Sequence, residues 1–458
     1  MSNNSQKIVV IGAQAAGLGA AAAAKKLNRK LNVTVLEQSI YASSSPCGLP
    51  YFVGGEIEDV RKLTFAEPAI IRDRMGIDLR LEHKALSINT KAKCVTCTDI
   101  NESQYVLEYD RLIIATGASP KVPPVEGVDA EGVFTLRNIG DAERIRNYIA
   151  DNSPRKAVVV GAGYIGLEMA EALTHLGLEV TVLEMLPQIL TSMDPDMAEF
   201  AQQHLENNGL LIKTNSALEK IVPNERGSVG SVVAAGGTID ADIVILALGV
   251  RPNISLAKEA GIEIGECGAI AVDEGQRTSV PDVFAAGDCC QSLHIVSGRQ
   301  VCMPLATVAE KQARVAGENA AGGNAKSAGI LGTSISGAFG MVFASTGLIT
   351  EAAKNHCSGA LSQAFMGHSH AAYYPNPRPL KLKLIFDQST GRILGAQAVG
   401  EEGALARINA LISATYAGLT VADLAQLDLP YAPPFGSSWD PIHVVSMMAM
   451  RRVRLSPE

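Results

Sequence analysis

The chain has 458 residues, 47% of them hydrophobic and 19% charged, with a net charge of −8. That length supplies core for roughly two to four domains, and the acidic balance offers no basic patch for nucleic acid. Eight cysteines (47, 94, 97, 267, 289, 290, 302 and 357) lack framework spacing, which in a chain this long argues for a reducing, cytoplasmic setting rather than disulfide stapling.

At the start, Lys7 followed by IVVIGAQAAGLGAAAAA has the outline of a signal peptide. The run is poor in large side chains and β-branched in its first half, so no membrane segment is expected; a dinucleotide unit explains it better. A strand (Ile8–Ile11) leads through a glycine turn into an alanine-rich helix, and VTVLE gives a second strand ending in Glu37, twenty residues after Gly17. In such a βαβ unit the helix N-terminus faces a pyrophosphate and the acid takes the ribose hydroxyls. The pattern Gly12-x-Gln14-x-x-Gly17 lacks the middle glycine. Next comes SSSPCGLPY, with Cys47 between Pro46 and Gly48 and no second cysteine two to five residues away. KAKCVTCTDI reads as a hairpin strand that sends Cys94 and Cys97 to opposite faces, so they form no redox pair. YDRLIIATGASP is a buried strand closing on Gly117.

KAVVVGAGYIGLEMAEAL then repeats the unit with Gly161, Gly163 and Gly166, and EVTVLE ends in Glu184, eighteen residues after Gly166. A carboxylate there accepts from a 2′-hydroxyl and repels a 2′-phosphate, which favours NADH over NADPH. Glu168 and Glu171 share this helix, Glu171 being expected to face solvent. ADIVILALGVRPN and TSVPDVFAAGDCC are further buried strands, the latter ending in Gly287-Asp288; Cys289 and Cys290 beyond it are expected to pack. PLATVAEKQARVAGENAAGG follows as a helix.

Taken together these stretches resemble the two-dinucleotide-binding-domain flavoproteins of the pyridine nucleotide–disulfide oxidoreductase superfamily, through nearly the whole chain. The resemblance implies an α/β fold with two Rossmann-like dinucleotide-binding domains, glutathione reductase-like, plus an α+β C-terminal dimerisation domain. The implied division is an FAD domain at 1–119 and 248–325, an NAD domain at 120–247 and a dimerisation domain at 326–458. FAD and NADH (NADPH as a lesser alternative) are the implied cofactors, with no metal. The implied cofactor contacts are Gly12, Ala15, Ala16, Gly17, Glu37, Gln38, Ser43, Ala85, Ala115, Thr116, Gly117, Gly161, Gly163, Tyr164, Ile165, Gly166, Glu168, Glu184, Gly249, Gly287, Asp288, Leu305, Ala306 and Thr307.

S-x-x-x-C-G-x-P-Y resembles the single-cysteine branch: coenzyme A disulfide reductases, NADH-dependent persulfide or polysulfide reductases, NADH oxidases and NADH peroxidases. A lone cysteine beside a flavin either forms a mixed disulfide or cycles as a sulfenic acid. The oxidases and peroxidases typically place a histidine in the first glycine loop; here Ala15 stands there, which favours sulfur substrates over oxygen or peroxide. SHAAYYPNPRPLKLKLIFD and YAPPFGSSWDP are similar to stretches of the coenzyme A disulfide reductases whose tyrosines, here Tyr373 and Tyr431, reach the reactive sulfur across a homodimer interface. Pro46 stands where the family often has Asn, Trp439 where it often has Lys, and Leu405-Ala406-Arg407-Ile408-Asn409 replaces D-K-R-I-D. Coenzyme A as a ligand needs basic partners, for which Lys25, Lys26 and Arg72, on or near the helix flanking Cys47, are the candidates, with Trp439 as a further candidate substrate contact. His443 stands where the family usually has Asn and is expected to be a partly buried polar residue near the interface. Some relatives of this type carry a rhodanese module, which these residues do not include, so sulfur would arrive on a small-molecule carrier or another protein. The expected activity is reduction of a small disulfide, persulfide or polysulfide by NADH through Cys47. The alternatives are a sulfenic-acid NADH oxidase or peroxidase, and a flavoprotein electron carrier serving a protein partner without thiol chemistry.

Overall fold

Continuous β-branched runs such as KIVVI and KAVVV suit strands covered on both faces, and they build two parallel sheets. The computed structural model describes residues 6–454, so the first five and last four residues of the expected division lie outside the described residues. The first unit contains β1 (Lys7–Ile11), α1 (Ala15–Leu27), β2 (Asn32–Glu37), α2 (Leu49–Val53), α3 (Pro68–Asp73), β3 (Asp78–Leu81) and β4 (Arg111–Ile114). The second contains β5 (Val133–Thr135), α4 (Ile139–Asn152), β6 (Lys156–Val160), α5 (Tyr164–His175), β7 (Glu179–Leu183), α6 (Pro195–Asn207), β8 (Leu211–Lys213) and β9 (Ile243–Leu246). The chain then returns to the first sheet with β10 (Val283–Ala285) and α7 (Ala306–Ala320).

The sheet orders are β10-β4-β1-β2-β3 and β8-β7-β6-β9-β5, parallel throughout. In each, the strand before the glycine loop lies between the next strand and a late one, which opens a crevice at the carboxyl ends. The crossings into and out of the second unit, Ala118–Pro120 and Val250–Pro252, pair antiparallel with each other. Small residues let α1 and α7 touch closely: a Cβ on Gly317 would lie 2.1 Å from the Ala20 carbonyl oxygen.

The C-terminal unit is an antiparallel sheet of β11 (Ser334–Ala338), β12 (Met341–Gly347), β13 (Ala360–His368), β14 (Pro379–Asp387) and β15 (Ile393–Gly400), in the order β11-β12-β15-β14-β13. Helices α8 (Ala404–Ala417) and α9 (Pro441–Met450) complete it. Its core joins that of the second unit, where Ala338, Met341, Phe343 and Val399 pack in one cluster with Met169 and Leu173. Among the described residues no helix is long and apolar enough to cross a membrane.

Candidate active site

The acids that end β2 and β7 close onto their glycine loops in the same way. Glu37 accepts from the Ala13 N–H at 2.9 Å and from the Ser39 N–H and hydroxyl at 3.0 Å each. Glu184 accepts from the Ala162 and Leu186 N–H groups, both at 2.9 Å. Gly12 and Gly161 have φ of +104° and +105°, and a Cβ on either would strike the Ala115 or Ala247 carbonyl oxygen, which is why only glycine fits these turns. None of α1, α5 and α7 has a side-chain cap. The opening N–H groups of Ala15–Ala16, Tyr164–Ile165 and Ala306–Thr307 therefore have no intrahelical acceptor, a donor set suited to phosphate and other anionic or carbonyl groups. Gly287, at φ +85°, brings the β10 turn against Ala16. The residues present fit FAD in the first unit and a pyridine nucleotide in the second.

Thr116 and Asn253 bond each other's carbonyls at 2.7 and 2.8 Å, and the Asn253 N–H bonds Gly117. Gly249 accepts from the Lys121 N–H, so Thr116, Gly117 and Gly249 also hold the paired crossings together. Ala115 bonds Ile11 at the switch point, Ala85 is buried in the antiparallel sheet beside β2, and Gln38 is exposed. Ser43, at φ +56°, gives its N–H to the Ala13 carbonyl.

Cys47 sits in a single 3₁₀ turn, Pro46–Gly48, that runs into α2; all eight cysteines are free and Cys47 is exposed. Packing beneath the thiol pushes its pKa up, Glu168 adds to this, and the Arg137 guanidinium pulls the other way. Glu168 itself is raised by burial, partly offset by a 2.7 Å bond from the Ser336 hydroxyl. Arg137 pairs with Asp288 at 2.7 Å. No motif pointed to Arg137, nor to Tyr51, whose phenol is raised by burial and by Glu168, Glu171 and Glu56. Cys94 and Cys97 lie on one strand with the expected alternation, and Cys289 and Cys290 are buried.

Glu171 departs from expectation: it accepts from the Phe339 N–H at 2.6 Å and does not simply face solvent. With Tyr164, whose phenol meets Ser334 at 2.7 Å, and Glu168 on Ser336, it fastens one face of α5 to β11. Lys26 is exposed in the last turn of α1, so it flanks Cys47 only by the far end of a helix about 20 Å long. Lys25 spends its ammonium on the Arg29 and Leu31 carbonyls and abuts Gly76, which brings that end of α1 beside the end of α3. Arg72, exposed on α3, gives its Nε–H to the Leu79 carbonyl. Tyr373 and Tyr431 come together, oxygen to oxygen at 2.6 Å, on two loops joined by the Ala371 N–H to Pro433 bond. The second loop is anchored by Arg407, which gives two bonds to Asp440. Trp439 is exposed and stands edge-on to His443, which is buried, with Nε2 on the Leu427 carbonyl and Nδ1 unpartnered.

Two Rossmann-type units, the second inserted in the first, with a thiol beside the first unit's glycine loop, define a flavin- and pyridine nucleotide-dependent oxidoreductase. The chain belongs to the pyridine nucleotide-disulphide oxidoreductase family, which matches residues 6–313, with the family's dimerisation domain at 338–441. It is 40% identical to an NAD(P)H sulfur oxidoreductase (CoA-dependent) of Pyrococcus abyssi, over 96% of this chain and 97% of that protein. It is 36% identical to an NADH oxidase of Methanocaldococcus jannaschii, over 98% and 99%. An NAD-dependent persulfide reductase from A. fulgidus superposes with a TM-score of 0.94 at 40% identity, covering 97% of this chain and 83% of that one.

Proposed function

We propose that this enzyme uses NADH to reduce a small disulfide, persulfide or polysulfide at Cys47. The observation that carries this reading is an exposed, unpaired thiol three residues after Ser44, which bonds Gln14 of the first unit's glycine loop, with Ala15 in place of a proton-donating histidine. FAD, when bound, supplies the route for an electron pair from nicotinamide to sulfur. The α5 N-terminus and Glu184 orient the nicotinamide dinucleotide. The Cys47 thiolate attacks one sulfur of RSSR, forming a Cys47–S–SR bond as the substrate S–S bond breaks and RS⁻ leaves. Tyr431, paired with Tyr373 and offered by the partner subunit, protonates that thiolate. An electron pair from NADH and a proton then free the second RSH and restore Cys47, giving NADH + H⁺ + RSSR → NAD⁺ + 2 RSH. A persulfide RSSH gives RSH and H₂S by the same route.

A homodimer suits exposed Tyr373, Tyr416, Tyr431, Phe435 and Trp439 on the C-terminal unit. The free cysteines suit a cytoplasmic setting. The division into FAD segments 1–119 and 248–325, an NAD domain at 120–247 and a dimerisation domain at 326–458 remains our assignment. A long carrier such as coenzyme A would run from Cys47 along α1 to Lys26 and Arg72.

The test is Cys47→Ser, assayed under nitrogen with NADH and coenzyme A disulfide, polysulfide or peroxide. Loss of the sulfur activities with flavin reduction intact supports the proposal. Full turnover without the thiol sinks it in favour of an electron carrier, and a preference for peroxide over sulfur acceptors favours the oxidase or peroxidase reading, which the Methanocaldococcus relative keeps in view.

A further inference from the structure

The one position where the first glycine loop departs from the three-glycine pattern is also a point at which that loop grips the cysteine segment through a side chain. The Gln14 carboxamide oxygen accepts from the Ser44 N–H at 3.0 Å and from the Ser44 hydroxyl at 2.5 Å. Its nitrogen donates to the Tyr41 carbonyl at 2.8 Å and approaches Glu37 Oε2 at 3.4 Å. One side chain thus joins the end of β2, the start of α1 and the residue three places before Cys47.

The second unit supplies an internal control. Gly163, the counterpart of Gln14, has φ −79° and ψ −176°, close to the −93° and −163° of Gln14, and a Cβ there would meet nothing within 4 Å. The backbone therefore does not require glycine at either position. In both units a residue in the left-handed region, Ser43 or Leu190, returns its N–H to the second residue of the glycine loop, Ala13 or Ala162. The units share that main-chain tie. The side-chain ties differ: in the second unit the Ser192 hydroxyl meets the Tyr164 phenol at 2.8 Å, whereas in the first, which carries the thiol, the Gln14 carboxamide takes the Ser44 N–H and hydroxyl and reaches the Tyr41 carbonyl.

We propose that Gln14 is a positioning residue for Cys47: its carboxamide fixes the Tyr41–Ser45 segment to the dinucleotide loop, so that the thiol and the cofactor share one rigid frame. The inference rests on the proposed redox role of Cys47. Two variants separate the clamp from the space it fills. Gln14→Met keeps the bulk and removes the polar contacts, while Gln14→Gly restores the three-glycine pattern and removes both.

In the holoenzyme, hydrogen exchange at the Ser44 amide is expected to quicken in both variants, and the rate of Cys47 alkylation across pH to change. Turnover of the sulfur acceptor should fall about 10- to 100-fold, the scale of a misplaced reacting group, with FAD content, NADH KM and the rate of flavin reduction within about twofold of wild type. Wild-type Ser44 exchange and acceptor turnover in both variants would overturn the proposal. So would loss of FAD from either, since Gln14 would then serve cofactor binding. Cys47→Ser, run alongside, separates the two readings. If it still turns over sulfur acceptors, the role of Cys47 fails and the inference with it; if it is inactive while Gln14→Met behaves as wild type, the inference alone fails.

Discussion

Glu184 holds its glycine loop and is proposed to hold the nicotinamide ribose, and replacing it by glutamine tests both. Its carboxylate is only 9% exposed and takes the Ala162 N–H on one oxygen and the Leu186 N–H on the other. A glutamine amide offers one oxygen, so one of those N–H groups would face an NH₂ and lose its acceptor, at a cost of about 1–3 kcal/mol. The proposed contact with the ribose would weaken from charge-assisted to neutral, a difference of about 1–1.5 kcal/mol, which corresponds to roughly a 5- to 13-fold rise in NADH KM. NADPH should suffer less, because the repelling charge goes too, yet it gains no partner: Met185 and Leu186 are exposed and apolar. The ratio of kcat/KM for NADH over NADPH should therefore drop by about fivefold or more, almost entirely through KM. Stopped-flow flavin reduction with each nucleotide measures this directly. An unchanged ratio, or a loss carried by kcat alone, would refute the assignment of Glu184 to the ribose.

Cys47 alkylation should respond in opposite senses to two neighbours. Thiolate fraction sets the rate, and Glu168 raises the Cys47 pKa while Arg137 lowers it. Glu168→Gln should therefore speed alkylation at pH 8 and shift its profile to lower pH. Arg137→Met should do the reverse, the more so because it leaves Asp288 without its 2.7 Å partner; movement in the same direction would contradict this. For stability, Lys383 bridges Asp194 at 2.8 Å and Asp196 at 2.5 Å, where α6 meets β14. Among the described residues Lys383→Met leaves Asp194, 2% exposed, with only Thr350 for its carboxylate, and a loss of about 3–5 kcal/mol is expected by urea unfolding at fixed protein and FAD concentration. Adding Asp194→Asn should recover part of that loss.

Features governed by contacts close along the chain are legible in the sequence. The β-branched runs, the glycine turns and the acids twenty and eighteen residues beyond them define two dinucleotide units, because strand, turn and helix N-terminus are local and each crevice forms where neighbouring strands end. The isolation of Cys47 was equally legible, since it needed only the absence of a nearby thiol. Contacts from distant segments are not legible in the sequence. From the sequence Glu171 reads as facing solvent, whereas the turn after β11, some 168 residues later, brings it the Phe339 N–H. Arg137 carries no motif, and its pairing with Asp288 exists only because the inserted unit folds back over the first. Lys26 does lie on α1, but in its last turn, at the opposite end of a helix about 20 Å long from the glycine loop. Gln14 shows the division within one side chain. From sequence it is a missing glycine; in three dimensions the return of Tyr41–Ser45 over the loop supplies the partners that account for it. Backbone geometry at the turns is a local matter, while the partners of polar side chains depend on which remote segments the two sheets bring together.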